Sequence, residues 1–143
     1  MGYCMWQDDC NFVIKAANFP AALQAIKDLM LNKEDMDGGS WSGGVETDRW
    51  YSFVHTDAVM ESETLIDALS AWRWDAQTRV DGDIYFISFT GEKSGQDKLL
   101  FRAIAPYVKN GSYICMRGED GALWRWYFED GTCKDQEGRV IYE

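Results

Sequence analysis

The sequence predicts a single α+β domain with a largely antiparallel sheet, about three helices and a C-terminal β-meander. Three observations lead there. Strand-like segments gather at both ends of the chain and helical stripes fill the middle, which favours α+β over an alternating α/β order. Two acid-Asp-Gly triplets, Glu119-Asp120-Gly121 and Glu129-Asp130-Gly131, divide the C-terminal part into strand-length pieces, and glycine there takes the positive φ that tight hairpins need. With 143 residues and 46% hydrophobic content, one core can form without metal or disulfides.

The N-terminal run reads as two short strands, Tyr3 to Gln7 and Phe12 to Lys15, with Asp8-Asp9 near the turn. A helix follows, capped at Asn18 or Phe19, with Pro20 in its first turn and Phe19, Leu23, Ile26 and Met30 in one apolar stripe. Residues 32 to 48 hold Asp37-Gly38-Gly39-Ser40-Trp41-Ser42-Gly43-Gly44, which predicts a long flexible loop, because glycine costs backbone entropy and supplies no packing. Trp50 to Val54 returns to strand. A second helix, Thr64 to Trp72, starts near Ser62 or Glu63 and buries Leu65, Leu69 and Trp72.

After a turn at Asp81-Gly82-Asp83, Ile84 to Phe89 alternates with apolar residues on both faces, as in a strand covered on both sides. Ser94 to Asp97 has capping-box-like order before the stripe Leu99, Leu100, Ala103, Ile104 and Tyr107, which ends at Asn110-Gly111 with Pro106 tightening its last turn. The meander then takes Ser112 to Arg117, Leu123 to Phe128 and, after a polar link, Arg139 to Tyr142. The two halves are loosely similar, each leading a helix into strands, without forming a repeat.

Charge is unevenly placed. Of the net −10, residues 1 to 70 carry twelve acids against four bases, and Glu34 to Asp67 carries nine acids against Arg49 alone. A chain so acidic lacks the basic footprint that direct binding to nucleic acid or an anionic membrane requires. Met1 to Asp9 has no basic n-region or apolar run, and no stretch approaches eighteen apolar residues, so a cytoplasmic protein is expected.

Two Trp-Arg-Trp triplets hold four of the seven tryptophans. In the strand Leu123 to Phe128, a period of two sends Trp124, Trp126 and Phe128 to the core and Arg125 and Tyr127 to the outer face, where Arg117 of the neighbouring strand can join them. Trp72 continues the helical stripe. Trp74 lies past it, either folded over the helix end or partly exposed. Trp41 belongs to no stripe; it either plugs back onto the domain or is offered to a partner as an aromatic anchor inside a charged rim.

Catalytic and metal signatures are absent from the pattern. His55, the sole histidine, has no nucleophile at motif spacing, and beside Asp57 it reads as structural or surface; there is no G-x-S-x-G, Walker loop or dinucleotide fingerprint. Asp35, Asp37 and Glu46 match positions 1, 3 and 12 of an EF-hand, but Ser40 stands where that loop needs glycine. Cys4, Cys10, Cys115 and Cys133 have no C-x-x-C spacing and read as buried or half-buried thiols, a Cys4 to Cys10 disulfide being the alternative in an exported protein. No catalytic residue, metal or cofactor is therefore expected.

The segments Gly91-Glu92-Lys93, Ile104-Ala105-Pro106-Tyr107-Val108, Gly111-Ser112-Tyr113-Ile114, Arg117-Gly118-Glu119-Asp120-Gly121 and Trp124-Arg125-Trp126 resemble small acidic proteins encoded in bacterial, phage and prophage genomes, over roughly residues 50 to 143. The resemblance implies a genomic setting in which counter-defence proteins occur. The expectation is a nonenzymatic interaction module that offers Glu34, Asp35, Asp37, Trp41, Glu46, Asp48, Asp57, Glu61 and Glu63 to a basic protein surface, electrostatic attraction speeding the encounter. The competing expectation is a small-ligand protein or enzyme with an aromatic pocket, gripping an anion through Arg73, Arg117 or Arg125 with Tyr127.

Overall fold

The computed structural model describes residues 2–142, the side chain of Thr47 apart. Its largest sheet joins the two ends of the chain. Strand β1 (Met5–Asn11) runs antiparallel to the first strand of the meander, and the sheet order is β1-β6-β7-β8, where β6 is Tyr113–Gly118, β7 Leu123–Glu129 and β8 Thr132–Gly138. Asp130 and Gly131 have φ of 53° and 74°, and Glu129 pairs with Thr132 across them. Two successive positive φ values make the tight turn whose twist matches a hairpin. That turn captures whatever follows, so the last strand is the polar Thr132–Gly138 rather than Arg139 to Tyr142, and Val140, Ile141 and Tyr142 are exposed.

At the N-terminus one strand, Met5–Asn11, stands where two were expected. The β1–β6 register shifts between Gln7 and Cys10, so Asp8-Asp9 forms a bulge and not a turn. Opposite this irregularity the Gln7 side chain behaves as a peptide group: its amide nitrogen donates to the Ile87 carbonyl at 2.7 Å, and its oxygen accepts from the Phe89 N–H at 2.7 Å. Residues 12 to 15 form no ladder of their own. Ile14 instead makes single bridges to Ile84 and Val108, with Phe12, Val13 and Ile14 all buried.

Helix α1 (Phe19–Leu29) starts where Asn18 and Pro20 place it and buries Ala22 and Ile26, with Met30 just beyond. Residues 32 to 48, expected as a long loop, fold as a short turn and a hairpin of β2 (Gly38–Ser42) and β3 (Val45–Trp50). Gly43 and Gly44, at φ 61° and 80°, are the reason: the same glycines that suggest a loop make a two-residue hairpin turn. Trp50 closes β3, and the expected strand through Val54 is turn. A five-residue helix α2 (Thr56–Met60) precedes α3 (Leu65–Ala71), which is capped by Thr64, its hydroxyl accepting the Asp67 N–H at 3.1 Å.

Beyond Trp72 the chain reverses at Arg73, whose φ is 72°. Trp74 thereby opens β4 (Trp74–Thr78), which pairs with β5 (Ile84–Phe89). Of the two positions open to Trp74, the buried one is realised. Helix α4 (Asp97–Ile104) follows, tightening at Pro106 into a 3-10 turn, and packs against α1 and β8. The triplets meet in the core: Trp74 lies 6.0 Å from Trp126, and Phe101 lies 5.0 Å from each. Such edge and tilted pairs add about 0.5–1.5 kcal/mol each beyond burial.

Candidate interaction surface

The β2–β3 hairpin is held at its foot and stands free at its tip. Met36 and Tyr51, flanking the two strands, are buried, and the Tyr51 hydroxyl donates to the carbonyls of Leu29 and Asn32, which lie 3.0 and 3.1 Å away. Gln96, at the start of α4, ties the same foot down. Its side-chain oxygen accepts from the N–H groups of Asp37 and Ser52, and its amide nitrogen donates to the Asp35 carbonyl. Arg49 braces the hairpin internally, reaching the Met36 carbonyl at 2.6 Å and Glu46 at 3.1 Å. The strands pair only with each other.

At the far end Trp41 is 66% exposed and sits opposite Glu46. It does not plug back onto the domain. Glu34, Asp35, Asp37, Glu46, Asp48, Asp57, Glu61 and Glu63 are also exposed. The EF-hand spacing is spent otherwise, since Asp35 accepts from Asn32 and Glu46 pairs with Arg49. Among the described residues no group of three or more His, Cys, Asp or Glu side chains is placed to hold a metal ion.

Two clefts flank the hairpin foot, and neighbouring residues divide them. Asp37 lines the larger, about 670 Å³, together with Leu99, Lys98, Trp124, Trp126, Asp135 and Glu137. Gly38 lines the second, about 590 Å³, with Asp48, Trp50, Phe53, His55 and Asp57. Gly38 lies so close to the Trp50 ring that a Cβ there would come within 2.2 Å of the indole nitrogen. Each cleft therefore sets aromatic surface beside carboxylates. Sequence reasoning offered Asp37, Asp48 and Asp57 to a partner without placing them at a cleft, and it did not name Asp135 and Glu137, because it assigned the last strand seven residues too late.

The arginines of the competing expectation are engaged elsewhere. Arg73 turns inward: its guanidinium lies 3.2 Å from the buried Asp97, donates to the Lys93 carbonyl at 2.6 Å, and stacks on the rings of Phe53 and Phe89 at 4.8 and 5.2 Å. It does grip an anion, but one of its own fold. Asp97 also accepts the Trp74 indole N–H at 2.9 Å and the Gly95 N–H at 3.0 Å, so this carboxylate, and not a capping box, organises the start of α4. Arg117 pairs with Asp8 at 3.3 Å. Arg125 lies over Tyr127 at 4.8 Å and donates to Gln136 at 2.5 Å, on the outer sheet face. A third cleft of about 470 Å³ contains Arg125 and Arg139, and one of about 650 Å³ contains Arg79 beside Tyr85; neither cleft at the hairpin foot contains an arginine.

No protein-family model, curated protein or solved structure matches the chain. Functional argument rests on the geometry. Among the described residues no helix is long and apolar enough to cross a membrane. All four cysteines are free and partly buried. Burial pushes the Cys10 thiol up to about 11 and the Cys133 thiol up to about 12, which makes both poor nucleophiles near neutral pH.

Proposed function

We propose that this protein is a nonenzymatic acidic interaction module that engages a basic surface of a protein partner. The arrangement at the hairpin foot carries the reading: two clefts with aromatic surface and carboxylate rims, without arginine, on either side of a projecting hairpin whose tip exposes Trp41. Concave apolar surface with a charged rim is how interface anchors are built. The net −10 supplies long-range attraction to a cationic partner.

In its concrete form the module acts in the cytoplasm as a phage or mobile-element counter-defence inhibitor. Its carboxylates occupy a partner's nucleic-acid groove in place of phosphates. The resemblance to small acidic phage and prophage proteins supports this setting. The test is capture from a bacterial lysate on immobilised protein, at salt concentrations giving Debye lengths of roughly 10 Å and 3 Å, followed by elution with short duplex DNA. A partner that is retained only at the lower salt and released by DNA supports the inhibitor; one indifferent to both refutes it.

Of the arginines named for the small-ligand reading, Arg125 lines a cleft, the third, together with Arg139. Titration with inorganic phosphate, followed through the Arg125 side-chain NMR signal, tests it. Saturable movement of that signal favours an anion site.

A further inference from the structure

We propose that the larger acid-rimmed cleft seats an arginine side chain carried on an exposed basic segment of a protein partner. The inference rests on the interaction reading above and names its anchoring point. Across the β7–β8 ladder Trp124 stands opposite Glu137 and Trp126 opposite Asp135. Directly paired residues share a sheet face, so each carboxylate sits beside an indole on the inner face; Trp124 is the partly exposed one, and Trp126 is buried among Trp74, Phe101 and Trp124. Leu99 of α4 supplies the facing wall, and Asp37 brings a third carboxylate from the hairpin foot.

This combination matches a guanidinium more closely than any other biological cation. A guanidinium is planar, stacks on indole faces and donates in a fork to carboxylates, while its methylene stem packs on apolar surface. The nearby cations do not line the site apart from Lys98 on its rim: Arg125 and Arg139 belong to the adjoining third cleft, which shares Trp124 and Glu137. Lys98 is exposed on the rim, and Arg102 is 3.8 Å from Asp135, beyond hydrogen-bond range. Inward-pointing charge on an edge strand also discourages strand addition, but that duty needs no indole floor and no opening of about 670 Å³.

The experiment uses the full chain and a capped tetra-arginine peptide, with tetralysine and tetraglutamate for comparison. The readouts are the indole N–H NMR signals and the dissociation constant at low ionic strength. We expect tetra-arginine to move the Trp124 and Trp126 signals and to bind more tightly than tetralysine, with tetraglutamate inert. The double variant Asp135→Asn/Glu137→Gln should weaken binding at least about fivefold. Both positions are exposed, and an unchanged thermal melt confirms that the variant folds.

Binding that moves only the Trp41 or Trp50 signals, or that survives the double variant intact, overturns the arginine seat and leaves the acidic module standing. Absence of binding by either basic peptide overturns both.

Discussion

The Arg73 guanidinium and the Asp97 carboxylate form an ion pair at 3.2 Å in which the acid is buried. Arg73 reaches it through a positive φ immediately before β4, and the next residue, Trp74, donates its indole N–H to the same acid. The first Trp-Arg-Trp triplet is thus a device that joins helix α3, strand β4 and helix α4. Removing one partner of a buried pair strands the other. Asp97→Ala should cost about 3–5 kcal/mol, while Asp97→Asn, whose single amide oxygen keeps an acceptor for one of Trp74 and Gly95, should cost less. Denaturant unfolding of both variants measures the difference.

Gln7 joins two sheets with one side chain. Its amide meets the Ile87 carbonyl and the Phe89 N–H in place of a strand. Gln7→Leu should destabilise by roughly 1–3 kcal/mol, the cost of leaving partly buried backbone groups unpaired. Amide hydrogen exchange at Phe89 should accelerate, whereas exchange in β7 should change only through global stability.

The closeness of Gly38 to Trp50 governs the hairpin and the second cleft. Gly38→Ala must displace the indole, at a local cost on the order of 1–3 kcal/mol. Because β2 and β3 pair only with each other, faster exchange should be confined to that hairpin. A loss of protection spread across the core would contradict this division.

The half-buried thiols of Cys10 and Cys133 set an alkaline limit. Cys10 and Cys133 titrate at about 11 and about 12 in the fold, chiefly because burial disfavours the thiolate, against about 8.5 in an unfolded chain. The unfolded state therefore loses protons first as pH rises. Their contribution to stability is fully present below the unfolded value and falls away as pH climbs toward the folded ones. Unfolding free energy measured from pH 8 to 11 should decline, and Cys10→Ala/Cys133→Ala should flatten the decline.

Legibility in the sequence followed the strength of periodic signals. The α1 stripe, the pairing of Trp126 with Phe128 on one face, and the acid-Asp-Gly turns are local patterns, and the structure realises each. Failures arose where one chemistry serves two structures. The glycines at 43 and 44 suit both a loop and a tight hairpin, and only pairing across them decides. β8 lacks apolar alternation because it is an edge strand, so its position follows from turn geometry and not from its own residues. Arg73 could not be told from a surface arginine, because its partner Asp97 lies on another element. The exposed acids from Glu34 to Glu63 were legible, whereas Asp135 and Glu137 became visible only with β8 correctly placed.

The central claim is that carboxylates at the hairpin and its foot attract a basic protein surface. Its most direct test compares the wild-type chain with the variant Glu34→Gln/Asp35→Asn/Asp37→Asn/Glu46→Gln/Asp48→Asn, each immobilised and exposed to the same bacterial lysate at low salt. All five side chains are exposed, so the variant should fold, which its thermal melt checks. The account predicts that a DNA-releasable partner captured by the wild type is lost or strongly depleted on the variant. An unchanged set of captured proteins would contradict it.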